Sequence, residues 1–159
     1  MMGKPYMTNT PATACFKRGT TKQSGMRKAA SVLAGRRALV VGLASTGISC
    51  ARFLAKCGAS VVATDIRPVS ELPGVKGLID MGVDVYAGGH IGVNLKGMET
   101  VIVSPGVPYD QPILAEARAM GIEVISDMEL AYRFIDSPII AVAGTNGKST
   151  VTTLIGRML

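Results

Sequence analysis

Tryptophan is absent from this chain of 159 residues, and aromatics of all kinds reach only 4%. That leaves no row of rings on which single-stranded nucleic acid would stack. No apolar run approaches the roughly 18 residues a membrane-spanning helix needs. The single histidine, His90, argues against a histidine-based metal site and against a Ser-His-Asp triad. The three cysteines (Cys15, Cys50, Cys57) hold no C-x-x-C pair, so neither a disulfide framework nor a simple zinc site is expected. Cys50 and Cys57 share one helix face and read as core.

Acidic residues are missing from residues 1–34, which carry six basic side chains and seven Ser or Thr. The remaining residues hold eleven basic and eleven acidic groups, so the net charge of +6 belongs to the N-terminal stretch. The charge is therefore no sign of a nucleic-acid surface on a folded domain. Residues 1–34 are expected to be a disordered basic tail. Their composition fits either an organelle transit peptide or upstream sequence with a start at Met7 or Met26.

What is abundant is apolar residues, at 48%, and glycine, at 19 positions. From Gly35 onward the pattern is strand, helix, strand, repeated. Apolar runs at Ala38–Val41, Ser60–Thr64, Val83–Tyr86, Thr100–Val103, Ile122–Ile125 and Pro138–Ala143 predict six strands. Cys50, Phe53, Leu54 and Cys57 recur at helical spacing, with Gly58 as the C-terminal stop. Residues 75–81 predict a weaker helix. Asp110 is expected to cap the next, with Pro112 in its first turn and Gly121 at its end. Ser126-Asp127-Met128-Glu129 matches a capping box before another. Alternating strands and helices predict a parallel α/β sheet, with ligands beyond the carboxyl ends of the strands. The loops 42–47, 65–67, 104–106 and 144–150 are the candidates.

The strongest motif is Gly144-Thr145-Asn146-Gly147-Lys148-Ser149-Thr150, between an apolar run and the start of a helix. Glycines let backbone N–H groups converge on phosphate oxygens, and a helix N-terminus favours the anion. Lys148 is the candidate catalytic cation for the β- and γ-phosphates of ATP, and the Ser149 hydroxyl the candidate ligand for Mg²⁺. Gly42-Leu43-Ala44-Ser45-Thr46-Gly47 resembles G-x-G-x-x-G with Ala at the middle glycine, and Asp65 closes the following strand. Read alone, this allows a dinucleotide site, hence an NAD(P)-dependent oxidoreductase or a non-catalytic nucleotide-binding module. Ala44 counts against NAD, because its methyl would press on a pyrophosphate. His90 reads as a surface-loop histidine.

Ala141-Val142-Ala143-Gly144-Thr145-Asn146-Gly147-Lys148-Ser149-Thr150 resembles the short ATP loop of the Mur ligases, the amide-bond-forming enzymes of peptidoglycan synthesis, and of the similar folylpolyglutamate synthases. The resemblance runs over about residues 35–159 and includes Val103-Ser104-Pro105-Gly106-Val107 and Ser126-Asp127-Met128-Glu129-Leu130. Asn146, with Val151-Thr152-Thr153-Leu154 downstream, resembles the D-glutamate-adding branch; the L-alanine-adding members usually carry His at that place.

The resemblance implies a Rossmann-like parallel-sheet domain over 35–137 that binds a UDP substrate. Residues 138–159 would be the first strand, P-loop and helix start of a truncated P-loop ATPase domain. It implies an ATP- and Mg²⁺-dependent cytoplasmic ligase, expected monomeric, joining D-glutamate to UDP-N-acetylmuramoyl-L-alanine through an acyl phosphate. No nucleic acid or membrane partner is expected. By the same resemblance Leu43, Ser45 and Thr46 lie against the diphosphate, Asp65 and Arg67 approach the uracil and ribose, and Gly106 makes room for the uridine. Ile66 stands where the family often has Thr. The sequence is expected to be a piece of a longer protein, inactive by itself.

Overall fold

The computed structural model describes residues 21–135 and 137–159. Residues 21–135 hold helices α1 (Thr21–Leu33), α2 (Ser45–Lys56), α3 (Val75–Ile79), α4 (Pro112–Ala119) and α5 (Asp127–Arg133). Between them run strands β1 (Arg37–Val41), β2 (Ser60–Asp65), β3 (Asp84–Ala87), β4 (Thr100–Val103) and β5 (Glu123–Ser126). The five strands form one sheet in the order β3-β2-β1-β4-β5, every pair parallel. This is the doubly wound order, and the chain reverses its direction of winding between β1 and β4.

Beyond their first residues β1 and β4 are apolar, because both faces of the sheet are covered. Ala38 and Val40 of β1 face a core with Ala51 and Leu54 of α2, Leu78 of α3 and Leu130 of α5. Leu39 and Val41, alternating with them, face Leu95, Met98 and, from α4, Ile113, Leu114 and Ala117. Leu39, Val40, Val41 and Val101 are fully buried. The register Val41↔Thr64 and Val41↔Val103 brings the ends of β1, β2 and β4 level, so that three loops open on one edge.

The five strands expected before residue 127 are present, with no end shifted by more than one residue. Half of the expected capping box is present: the Ser126 hydroxyl accepts from the Glu129 N–H at 3.0 Å, while the Glu129 carboxylate accepts from Arg133 Nε at 3.1 Å. Three expectations need correction. Residues 21–33 of the supposed tail are helix α1. Ala29 is fully buried, and Leu33 packs against the α2 side of the core. Met26, Ala29, Ala30 and Leu33 do follow helical spacing, but two small alanines carry little hydrophobic signal. The rest of the expected tail lies outside the described residues.

The cap of α4 is Gln111, not Asp110. Proline at the first helical position holds its predecessor extended, here at φ −54° and ψ 133°. Finally, the strand expected at Pro138–Ala143 is irregular. It belongs to no strand ladder among the described residues, and Ile139 and Ile140 are exposed. In residues 137–159 the one regular element is α6 (Lys148–Met158).

Candidate functional site

A cleft of about 300 Å³ opens at the carboxyl ends of β1, β2 and β4. Gly42 and Ala44 line it after β1, Asp65, Ile66 and Arg67 after β2, and Ser104, Gly106, Val107, Pro108 and Gln111 after β4. His90 completes the wall from the loop after β3.

Two glycines make the β1–α2 turn possible. Gly42 sits at φ +90°, and a Cβ there would lie 2.6 Å from Val107 Cγ2. Gly47 lies in the first turn of α2, and a Cβ there would stand 1.8 Å from the Gly42 carbonyl oxygen. Gly47 admits no side chain without moving backbone, and at Gly42 the positive φ and the Val107 side chain both oppose one. The turn is tied on both sides: Gly42 N–H donates to Thr64 O at 2.8 Å, and the buried Ser104 hydroxyl donates to Gly42 O at 2.8 Å.

Asp65 sits at the centre of the arrangement and is 4% exposed. Its Oδ2 accepts from Leu43 N–H at 2.6 Å and from Arg67 Nη2 at 2.8 Å. Its Oδ1 accepts from the Arg67 backbone N–H at 2.9 Å and from Arg67 Nε at 3.0 Å. Burial pushes the carboxyl's pKa up, but the hydrogen bonds from the Arg67 side chain and from the Arg67 and Leu43 backbones outweigh it and hold the group at about 2.

Of the six residues expected to meet the UDP substrate, the cleft gathers Asp65, Arg67 and Gly106. Ser45 and Thr46 are exposed at the start of α2, where a helix N-terminus favours an anion. Leu43 is placed differently: its side chain is buried in the core and its N–H is given to Asp65. His90, expected in a surface loop, belongs to the cleft wall. Its Nδ1 is 3.0 Å from Thr64 Oγ1, and its Nε2 is buried with no partner. Gly88 and Gly89 before it, both at positive φ, are the signal of a chain turning back over the sheet edge. Ser104 falls in the candidate loop 104–106, whereas Gln111 is not singled out by sequence; a polar residue beside a proline carries no pattern of its own.

In residues 137–159, Gly144 at φ +144° and Gly147 at φ +79° shape the second glycine loop. A Cβ on Gly147 would meet nothing within 4 Å. Lys148 begins α6, and its Nζ donates to Gly144 O at 2.5 Å and Thr145 O at 3.3 Å. A cation at a helix N-terminus opposes the macrodipole, so the loop suits an anion that both would share. Thr145, Asn146, Ser149 and Thr150 are all exposed around it. Among the described residues no group of three or more His, Cys, Asp or Glu could hold a metal, and no helix is long and apolar enough to cross a membrane.

Residues 36–126, the whole sheet from just before β1 to the end of β5, match the family described as Mur ligase MurD-like, N-terminal domain. The chain belongs to that family. Among its relatives, the UDP-N-acetylmuramoylalanine--D-glutamate ligase of Listeria monocytogenes is 43% identical over 125 residues, 78% of this chain and 28% of the relative. The protein of the same name from Geobacter metallireducens is 46% identical over 127 residues, 79% of this chain and 28% of the relative. That from Desulfatibacillum aliphaticivorans is 46% identical over 128 residues, again 28% of the relative. The chain thus spans under a third of the length of these curated relatives.

Proposed function

We propose that this chain is the nucleotide-substrate domain and ATP loop of a cytoplasmic ligase that joins D-glutamate to UDP-N-acetylmuramoyl-L-alanine. The observation that carries the reading is the cleft at the switch point of a MurD-like sheet, with Arg67 and Asp65 at the nucleoside end and the N-terminus of α2 at the other. In the doubly wound arrangement a diphosphate lies at the helix N-terminus after β1 and the nucleoside at the end of β2. Ser45 and Thr46 are the proposed diphosphate contacts, Arg67 and Gly106 the uridine contacts.

Joining a carboxylate to an amine in water needs an activated carboxyl, and ATP as cosubstrate supplies that activation by forming an acyl phosphate. Gly144, Thr145, Asn146, Gly147 and Thr150 would cradle its phosphates. Lys148 would leave the loop carbonyls it now bonds and neutralise charge on the transferred phosphoryl group. The Ser149 hydroxyl is the residue here that would hold Mg²⁺, which adds further positive charge at the phosphates.

Titration calorimetry on the chain tests the uridine half. UDP should bind and NAD should not, because at the end of β2, where an NAD site offers an acid to the adenosine ribose, the Asp65 carboxylate is engaged by Arg67. Arg67→Ala should weaken UDP by on the order of 1–2 kcal/mol, roughly tenfold. Tight NAD binding without UDP binding would replace this reading with the oxidoreductase one. In a full-length ligase carrying this loop, Lys148→Ala should lower kcat by about 10²-fold with the thermal midpoint unchanged. Near-normal kcat would make the loop a structural turn.

A further inference from the structure

The cleft at the strand ends is not the largest cavity of the sheet unit. A groove of about 400 Å³ lies between α1, α2 and α5 and shares no residue with the cleft. Met26, Cys50, Phe53, Leu130 and Phe134 make it apolar, and the centroids of the Phe53 and Phe134 rings stand 5.8 Å apart. The groove cannot close by bringing α1 nearer. A Cβ on Gly25 would already lie 2.7 Å from the Phe134 carbonyl oxygen, so α1 rests on the end of α5 there. Small-molecule sites have volumes of this order and are mostly apolar, with a few fixed polar groups.

The polar groups decide what fills it. The Ser49 hydroxyl donates to Ser45 O at 2.7 Å and is spent. Burial first, and then the Asp127 charge, push the Cys50 thiol up to about 11, so it stays protonated and is no nucleophile. Asp127 is the one charged residue lining the groove. Its Oδ1 accepts from Met128 N–H at 2.8 Å, and its Oδ2 has no hydrogen bond or ion pair among the described residues. The Glu129 N–H is given to Ser126, so this end of the groove presents a carboxylate with the two backbone N–H groups after it already taken. A neutral apolar body would strip water from that carboxylate and replace it with nothing, and an anionic amphiphile would set like charges together. A cation answers both, and aromatic rings on the groove wall favour one further. We infer that the α1–α2–α5 groove binds an organic cation with an apolar body, its primary ammonium at Asp127 and its chain running toward Phe134. Seven residues of α5 separate the two, about 10 Å, which a straight chain of about eight carbons spans. This site is separate from the uridine cleft and stands whether or not that cleft takes UDP.

The probe is n-octylammonium, titrated by calorimetry into the 159-residue chain, with n-octanol and octanoate as controls of the same length. Octylammonium should bind about tenfold or more tightly than either, as expected for a charge-assisted hydrogen bond. Asp127→Asn, whose amide oxygen can still accept from Met128 N–H, should bring octylammonium down to the level of octanol. Ala131→Phe, which adds a ring to the groove wall from α5, should abolish binding of both. The thermal midpoint of each variant, taken without ligand, checks that it is folded, and Asp127→Asn alone decides the matter if Ala131→Phe is not. Equal affinity for octanol and octylammonium would overturn the assignment, as would an unchanged preference in Asp127→Asn or no binding of octylammonium at all. Binding seen only after deletion of residues 1–20 would assign the groove to that segment instead. A dimer in sedimentation that Ala131→Phe dissociates would assign it to a second copy of the chain. Either result would overturn the cation site.

Discussion

Gly42–Gly47 and Gly144–Thr150 are written in nearly the same local code: an apolar run, glycines with small polar residues, then a helix. Their settings differ. Before the first loop, Val40 and Val41 are fully buried, and β1 is hydrogen-bonded on both sides. Before the second, Ile139 and Ile140 are 52% and 60% exposed and no strand forms. The first loop is held by Thr64, Asp65 and Ser104 from two neighbouring strands and the loops after them. The second is held by its own lysine and helix. A strand–glycine–helix motif in sequence is thus a proposal of structure that neighbouring strands have to complete.

The comparison can be broken most sharply at the glycines. Gly47→Ala forces a methyl into the Gly42 carbonyl. It should destabilise the sheet unit by about 3 kcal/mol or more, since backbone must shift. Chemical denaturation followed by circular dichroism measures this, and an effect below about 1 kcal/mol would mean that the turn is soft.

Acid should act next. Asp65 falls from its ordinary value of 3.8 to about 2 in the folded chain. A lowered carboxyl pKa stabilises the fold above the unfolded value and loses that contribution as pH falls through the folded one. Stability should therefore drop by about 2 kcal/mol between roughly pH 4 and pH 2 through this group. Asp65→Asn should flatten that part of the profile; an equal acid slope in both proteins would show that other carboxylates dominate.

A smaller effect is expected at Ser104→Ala, which leaves the Gly42 carbonyl without its hydroxyl donor and should cost about 1 kcal/mol in the same assay. Least of all should follow from Gly147→Ala. The new methyl meets nothing, and only the positive φ resists it, at about 1 kcal/mol confined to the start of α6. The thermal midpoint of the sheet unit should not move. A shift of several degrees would show that the cost is not confined to the start of α6.

Much of the sheet was legible from the apolar runs because strands buried on both faces need no alternation to be seen. Thr100–Val103 is legible to the residue, and the Ser126 cap is a hydrogen bond to a near neighbour, the Glu129 N–H. Helix α1 was not legible, since Ala29 and Ala30 contribute shape and not hydrophobicity. The Asp110 cap was misread because Pro112 dictates the conformation of the residue before it. Asp65 and Arg67 stand out in sequence at the end of the second strand. That one would saturate the other was hidden, because hydrogen-bond capacity is a matter of positions in space.

By itself the sequence determined the alternation of strands and helices, the two glycine loops and the residues at the ends of β1, β2 and β4, because those depend on local propensity and short-range pattern. The tertiary structure decided which apolar run became a strand, which side His90 took, and that Asp65 faces inward to Leu43. Those outcomes depend on partners 22 to 62 residues away, such as Leu43 for Asp65 and Gly42 for Ser104, which only the parallel packing of the sheet brings within hydrogen-bonding distance.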